Sequence, residues 1–172
     1  MLIEIKLYHS IMKLIQCLLI MTTLGMTTLG LLAQQASAQE ITNPDGLYDP
    51  RPHGYSHIAA VPANSILVFV AGQAGTDEEG KLSKEFRTQV QFTFKNLAIA
   101  LKSKGLGMQH IAKLTTLVVD YDAEKHKILI EESKKVWADE KFPVNTLIPV
   151  SRLALDGMLI EIDATAVMRE IK

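Results

Sequence analysis

Between residues 83 and 104 apolar side chains return every three or four positions, at Phe86, Val90, Phe94, Leu97 and Leu101. That spacing places them on one face of a helix and leaves Arg87, Gln91, Lys95 and Lys102 off the stripe, free to stay in water. Ser83 is the expected N-cap, Glu85 suits the positive end of the helix dipole, and Lys104-Gly105 suits the other end. Elsewhere the pattern is that of strands. Residues 55–61 and 66–71 are short apolar runs joined by Pro62-Ala63-Asn64-Ser65, which reads as a strand pair with a four-residue turn. Residues 113–119 are β-branched and strand-like. A second helix is expected over 123–139, capped by Asp122, with a Glu131–Lys135 pair one turn apart and Trp137 in the core. Two strands close the chain, at 146–152 and 158–168, with a turn at Asp156-Gly157 between them. In the last one Ile160, Ile162, Ala164, Ala166 and Met168 share one face, and Glu161, Asp163, Thr165 and Val167 share the other.

The element order is therefore ββαβαββ, an α+β domain. Two helices cannot cover both faces of a sheet of this size, so one mixed sheet with both helices on one face is expected. The bare face must meet solvent or another subunit. Leu147, Val150 and Val167 are too apolar for open water, and burial in an oligomer is the expectation for them.

The first 38 residues differ from the rest. Residues 14–32 carry no charge and lead into Ala36-Ser37-Ala38, the order of a secretory signal with a small-x-small cleavage site. Lys13 directly after Met12 marks Met12 as the expected true start. The alternative, a permanent membrane anchor, is disfavoured by the Gly and Thr residues that weaken the stretch and by the cleavage site that ends it. The expected organisation is a signal over 1–38, a polar, turn-rich lead-in over 39–53 and one domain over 54–172. The product would be periplasmic or secreted, with no membrane association once the signal is removed. Cleavage after Ala38 leaves 134 of the 172 residues. The only cysteine, Cys17, lies in the removed part, so the domain holds itself together by packing rather than by disulfides. The removed part takes two Lys and one Glu from totals of 18 basic and 19 acidic residues, leaving 16 against 18 with the signs interspersed. Such a surface is a poor partner for nucleic acid.

Six segments then occur in a telling order: Gly54-Tyr55-Ser56, Val70-Ala71-Gly72-Gln73, the run from Lys113 to Asp120, Phe142-Pro143-Val144-Asn145-Thr146, Val150-Ser151-Arg152-Leu153-Ala154, and the run from Leu159 to Ala164. Together they resemble the RidA family, also known as YjgF or L-PSP, over about residues 54–168. The resemblance implies a chorismate-mutase-like fold. It also implies a homotrimer whose sheets close a central barrel, with small-molecule clefts between neighbouring subunits and no cofactor. Founding members hydrolyse reactive imines and enamines made from amino acids, and an Arg in the pattern Pro-x-Arg-Ser/Thr pairs with the substrate carboxylate.

Here the matching stretch is Pro143-Val144-Asn145-Thr146, with Asn145 where the Arg is expected. An amide donates hydrogen bonds but has no charge. Losing a partly buried ion pair to a carboxylate costs on the order of a hundredfold in affinity. A substrate range shifted away from 2-imino acids is the consequence. Arg152 and Arg51 are the two candidates to replace the missing fork, the first seven positions along an alternating strand and so on its other face, the second in the lead-in. By the same resemblance Glu161 is the catalytic carboxylate, for which the plain alternative is a solvated Glu on a polar strand face. Tyr55, Gly72, Gln73, Asn145 and Thr146 are the substrate-binding set. Thr146 and Ser151 are hydroxyls with no visible base. His53 and His57 are four apart, but in extended chain that is roughly 13 Å, too far to share one zinc, and no metal site is expected. Three readings follow: an imine or enamine hydrolase, a trimer that binds a small molecule without chemistry, and, least favoured by charge, an endoribonuclease.

Overall fold

The computed structural model describes residues 39–169; the expected signal segment, the Met12 start and the cleavage after Ala38 lie outside the described residues. In chain order the elements are β1 (Glu40–Thr42), a 3-10 turn (Arg51–His53), β2 (Ile58–Ala60), β3 (Ser65–Ala74), α1 (Phe86–Lys102), a second 3-10 turn (Met108–His110), β4 (Ile111–Val119), α2 (Ala123–Val136), β5 (Val144–Val150) and β6 (Ile160–Arg169). Four strands form one mixed sheet in the order β3-β6-β4-β5. Its β4–β5 pair is parallel and the other two pairs are antiparallel. The parallel pair follows from the crossover through α2, which returns the chain to the same end of the sheet.

Both helices pack on one face of this sheet, as the pattern predicts. The apolar stripe of α1 is buried, with Val90, Leu97 and Leu101 fully so, and meets Val68 and Val70 of β3, Leu114 and Val118 of β4, and Ile160, Ile162, Ala164 and Ala166 of β6. Burying each large side chain contributes about 1.5–3 kcal/mol, so this stripe is the main anchor of the helix. Gln89 of α1 ties the helix to the segments that precede α1 and β6. This wholly buried amide donates to Ser83 O at 2.6 Å and Gly157 O at 2.8 Å, and accepts from the Leu159 N–H at 2.8 Å. Trp137 is buried as expected.

Several local expectations are corrected. The helix begins at Phe86 with Glu85 at the N-cap position, while the Ser83 hydroxyl accepts from the Glu85 N–H at 3.1 Å. Asp122 does cap α2, accepting from the Lys125 N–H at 2.8 Å. Glu131 does not pair with Lys135. It takes Arg87 at 2.7 Å, and the neighbouring Glu132 takes Arg87 at 2.6 Å and Lys135 at 2.8 Å, with Gln91 adding a bond at 3.2 Å. Arg87 and Gln91 lie off the stripe and reach solvent as expected, and they also tie α1 to α2. The strand pair expected from 55–61 and 66–71 is replaced by a different one: β2 pairs antiparallel with β1, and β3 pairs with β6. The lead-in therefore contributes a strand.

That small two-stranded sheet explains one of the three apolar residues assigned to an oligomer. Val167 is fully buried against Ala112 and Ala59 of β2, within the same chain. Leu147 points to the helix side and joins the main core, and Val150 packs with Val119, Leu153 and Met158. What remains open on the face away from the helices is a different set, Leu67, Phe69 and Ile148, of which Phe69 is 76 % exposed. Pro149 lies in β5, which forms one edge of the sheet.

Candidate functional site

The approach to the site is built by the segment before β2. After the turn Arg51–His53, Gly54 takes a left-handed conformation at φ 74° and its N–H closes onto Arg51 O at 3.0 Å. That φ is what requires glycine there. Ser56 then donates its N–H to Pro143 O at 3.2 Å and bridges to Val144, pinning Tyr55 beside the start of β5.

Between this segment, α2 and the helix-side face of β4 and β5 lies a cavity of about 360 Å³. Its apolar lining comes from Phe94, Leu114, Leu129, Ile130, Leu147 and Ile162, and its polar lining from His53, Tyr55, Thr116, Tyr121, His126, Ser133, Asn145 and Thr146. None of the lining residues is Lys, Arg, Asp or Glu. Asn145 accepts from the Thr116 hydroxyl at 3.0 Å through Oδ1, which fixes the amide. Its Nδ2 has no partner among the described residues, so two N–H donors are left for a ligand. Tyr121 Oη and His126 Nδ1 are 2.5 Å apart. Burial raises the Tyr121 pKa above its ordinary value, so the phenol stays protonated. The His53 and His126 rings lie 5.9 Å apart, centre to centre. Tyr48 sets its ring edge-on to His53, Tyr55 and His57, and the Tyr48 and Tyr55 hydroxyls are hydrogen-bonded. His57 turns away to the Tyr48 carbonyl at 3.0 Å, while His53 faces the cavity.

Glu161 is elsewhere. Ile162 lines the cavity, and its neighbour in the strand, Glu161, points to the opposite face of the sheet beside Leu117. There β3 is bulged between Val70 and Gln73. Gln73 folds back to donate to Ala71 O at 2.9 Å, and the Glu161 carboxylate occupies the space a side chain at Gly72 would fill, a Cβ there falling 2.0 Å from Oε1. Glu161 has no hydrogen-bond or ion-pair partner among the described residues. The predicted site residues thus form two groups: Tyr55, Asn145 and Thr146 at the cavity, and Gly72, Gln73 and Glu161 at the bulge, with the sheet between. Neither replacement cation reaches the cavity lining. Arg51 makes a two-point pair with Asp49 at 2.8 Å, and Arg152 bonds Asp156 at 3.2 Å. Sequence reasoning missed Thr116, Tyr121 and His126. A titratable pair flanking the Asp122 cap was the available signal.

A mixed sheet with two helices on one face defines an α+β protein, and its likeness to solved Rid-family structures makes the fold the chorismate-mutase-like one. Residues 49–168 match the family model described as Endoribonuclease L-PSP. The chain belongs to this L-PSP family, also known as RidA or YjgF. Among its relatives, a RutC family protein of Aquifex aeolicus is 35% identical over 110 residues, 63% of this chain and 85% of the relative. The RutC family protein YjgH of Escherichia coli is 30% identical over 102 residues, 59% of this chain and 75% of the relative. Among solved structures, YyfB of Yersinia pestis, a protein of unknown function in the conserved Rid family, aligns with a TM-score of 0.72 at 26% identity, covering 76% of this chain and 99% of that one.

Proposed function

We propose that the chain is a hydrolase of a small imine or related molecule that lacks a carboxylate, bound in the cavity at Asn145. The observation that carries this reading is the lining, which offers two free amide donors and no charged side chain. A carboxylate entering it would lose its water without gaining a cation, whereas a neutral C=N or C=O acceptor gains a hydrogen bond. Water adds to the C=N carbon while a carboxylate takes its proton. That proton passes to nitrogen to give a carbinolamine, the hydroxyl proton follows it by way of the carboxylate as the C–N bond breaks, and ammonia and a carbonyl compound leave.

Glu161 is the carboxylate assigned to this step. Its place on the other sheet face means it would serve the cavity of a neighbouring copy, so the reading includes self-association into the expected homotrimer. Two observations support this: Glu161 is unpaired, and Leu67, Phe69 and Ile148 lie open on its face. The experiment is ammonia release from a panel of enzymatically generated imines. Release above buffer, lost in Glu161→Ala, is expected; wild type and variant both matching buffer would refute it.

The separation of Glu161 from the cavity within one chain favours a second reading, a trimer that holds a small molecule without chemistry. A library that raises the melting temperature in the absence of any turnover would support that reading instead. Ribonuclease activity finds no support in a lining without cations. Export to a periplasm or the medium completes the proposal and is testable by fractionating cells for the full and shortened chain.

A further inference from the structure

We propose that His126, held by Tyr121, is the proton-transfer group of the cavity, moving a proton on and off the carbon next to a C=N or C=O group bound at Asn145. This rests on the reading of the cavity as a site for neutral imines, and it adds an activity: interconversion of imine and enamine. Only the imine form has an electrophilic carbon for water to attack, so such a site prepares what the hydrolysis consumes.

Two nitrogens with different duties make His126 suited to this. Nδ1 is fixed by the Tyr121 hydroxyl at 2.5 Å, while Nε2 has no partner among the described residues on a ring that walls the cavity. A hydroxyl can donate or accept, so Tyr121 stays bonded whether the ring proton sits on Nδ1 or on Nε2. A carboxylate in its place would accept only. The backbone beneath is rigid, because the Lys125 side chain holds the carbonyls of Val119 and Asp120 at 2.8 Å and the His126 N–H bonds Asp122 O at 3.0 Å. A cavity of about 360 Å³ is about 9 Å across if round, so a small ligand held at Asn145 lies within reach of the opposite walls. No carboxylate or ammonium of the same chain lines the space.

The step balances without any further reagent. The Nε2 lone pair takes a proton from the carbon beside C=N, and that C–H electron pair becomes the C=C bond. The C=N π pair moves to nitrogen, which takes a proton from water, and the hydroxide left behind takes the proton back from the ring. The reverse sequence returns the enamine to the imine. With a ketone the same electrons move to oxygen, held by the Asn145 Nδ2–H groups.

The test uses cyclopentanone in heavy water with the full chain, following deuterium uptake beside the carbonyl by proton NMR. The expected result is accelerated uptake that falls by on the order of a hundredfold in His126→Gln, the usual scale of general acid–base catalysis. Equal uptake by wild type and His126→Gln would overturn the proposal, as would wild-type uptake no faster than buffer. Tyr121→Phe should shift the His126 ring-nitrogen resonances and slow uptake while leaving the ketone's Kd unchanged; unchanged resonances would remove Tyr121 from its positioning role. Should His126→Gln fail to fold, wild-type His126 resonances must still move on titration with cyclopentanone, and their indifference would also overturn the proposal. Ammonia release is read separately with imines. Its absence alongside His126-dependent uptake would sink the hydrolase and leave proton transfer standing.

Discussion

Gly72→Ala separates the role of the Glu161 carboxylate from the stability of the fold. The added Cβ would lie 2.0 Å from Glu161 Oε1, 2.7 Å from Cδ and 2.8 Å from Cγ, where ordinary contact begins near 3.4 Å. The carboxyl must therefore retreat by about 1.4 Å, and it is the far end of a flexible side chain, so it can. Gly72 is not among the glycines with positive φ, and alanine can adopt its backbone. Gly→Ala at such a position commonly stabilises by about 0.4–1 kcal/mol through the unfolded state, which offsets the cost of a displaced Glu rotamer. A melting temperature within a few degrees of wild type is expected. Misplacing a catalytic group by about 1 Å costs on the order of a hundredfold in rate. Calorimetry gives the first quantity and ammonia release from an imine without a carboxylate gives the second. A variant that keeps full turnover while Glu161→Ala loses it would refute the reasoning, because the carboxyl would then not need the space over Gly72.

Three further outcomes follow from named contacts. Gln89→Leu removes three part-buried hydrogen bonds to two carbonyls and one N–H and should cost about 1–3 kcal/mol in urea unfolding, with little change in the slope. For Glu132, burial alone would raise the pKa, but hydrogen bonds from Lys135, Arg87 and Gln91 outweigh it and hold the carboxyl below its ordinary value. A depressed folded-state pKa contributes stability above the unfolded value of about 4.3 and loses it as pH falls through the folded one. Glu132→Gln should therefore melt several degrees below wild type at pH 7, and the gap should close toward pH 3 in calorimetric scans. Asn145→Arg places a cation in a lining that has none and should move preference toward 2-imino acids by on the order of a hundredfold in kcat/KM, measured against a neutral imine in the same assay.

The parts of the fold that sequence exposes are those written in one element's own periodicity. The stripe from Phe86 to Leu101, the alternation of Ile160 with Glu161, and the Asp122 cap all depend on residues within a turn or two of each other. The pairing of β2 with β1 does not. Ala59 pairs with Ile41, a partner set by long-range packing on Val167 rather than by the tempting turn at Pro62–Ser65. The division of the site has the same origin. Alternation along β6 says that Glu161 and Ile162 face opposite ways, but only register across β4 tells that Asn145 shares Ile162's side. Family resemblance gathers Asn145 and Glu161 into one set, and within one chain the two lie on opposite faces of the sheet. His126 escaped because its partner Tyr121 lies across the helix cap, outside any helical repeat.

Both free margins of the four-stranded sheet carry an interruption. On one side β3 breaks its ladder at the Val70–Gln73 bulge, and on the other β5 contains Pro149, which has no N–H to offer an arriving strand. Margin-to-margin growth into an endless ribbon is thereby blocked at both ends.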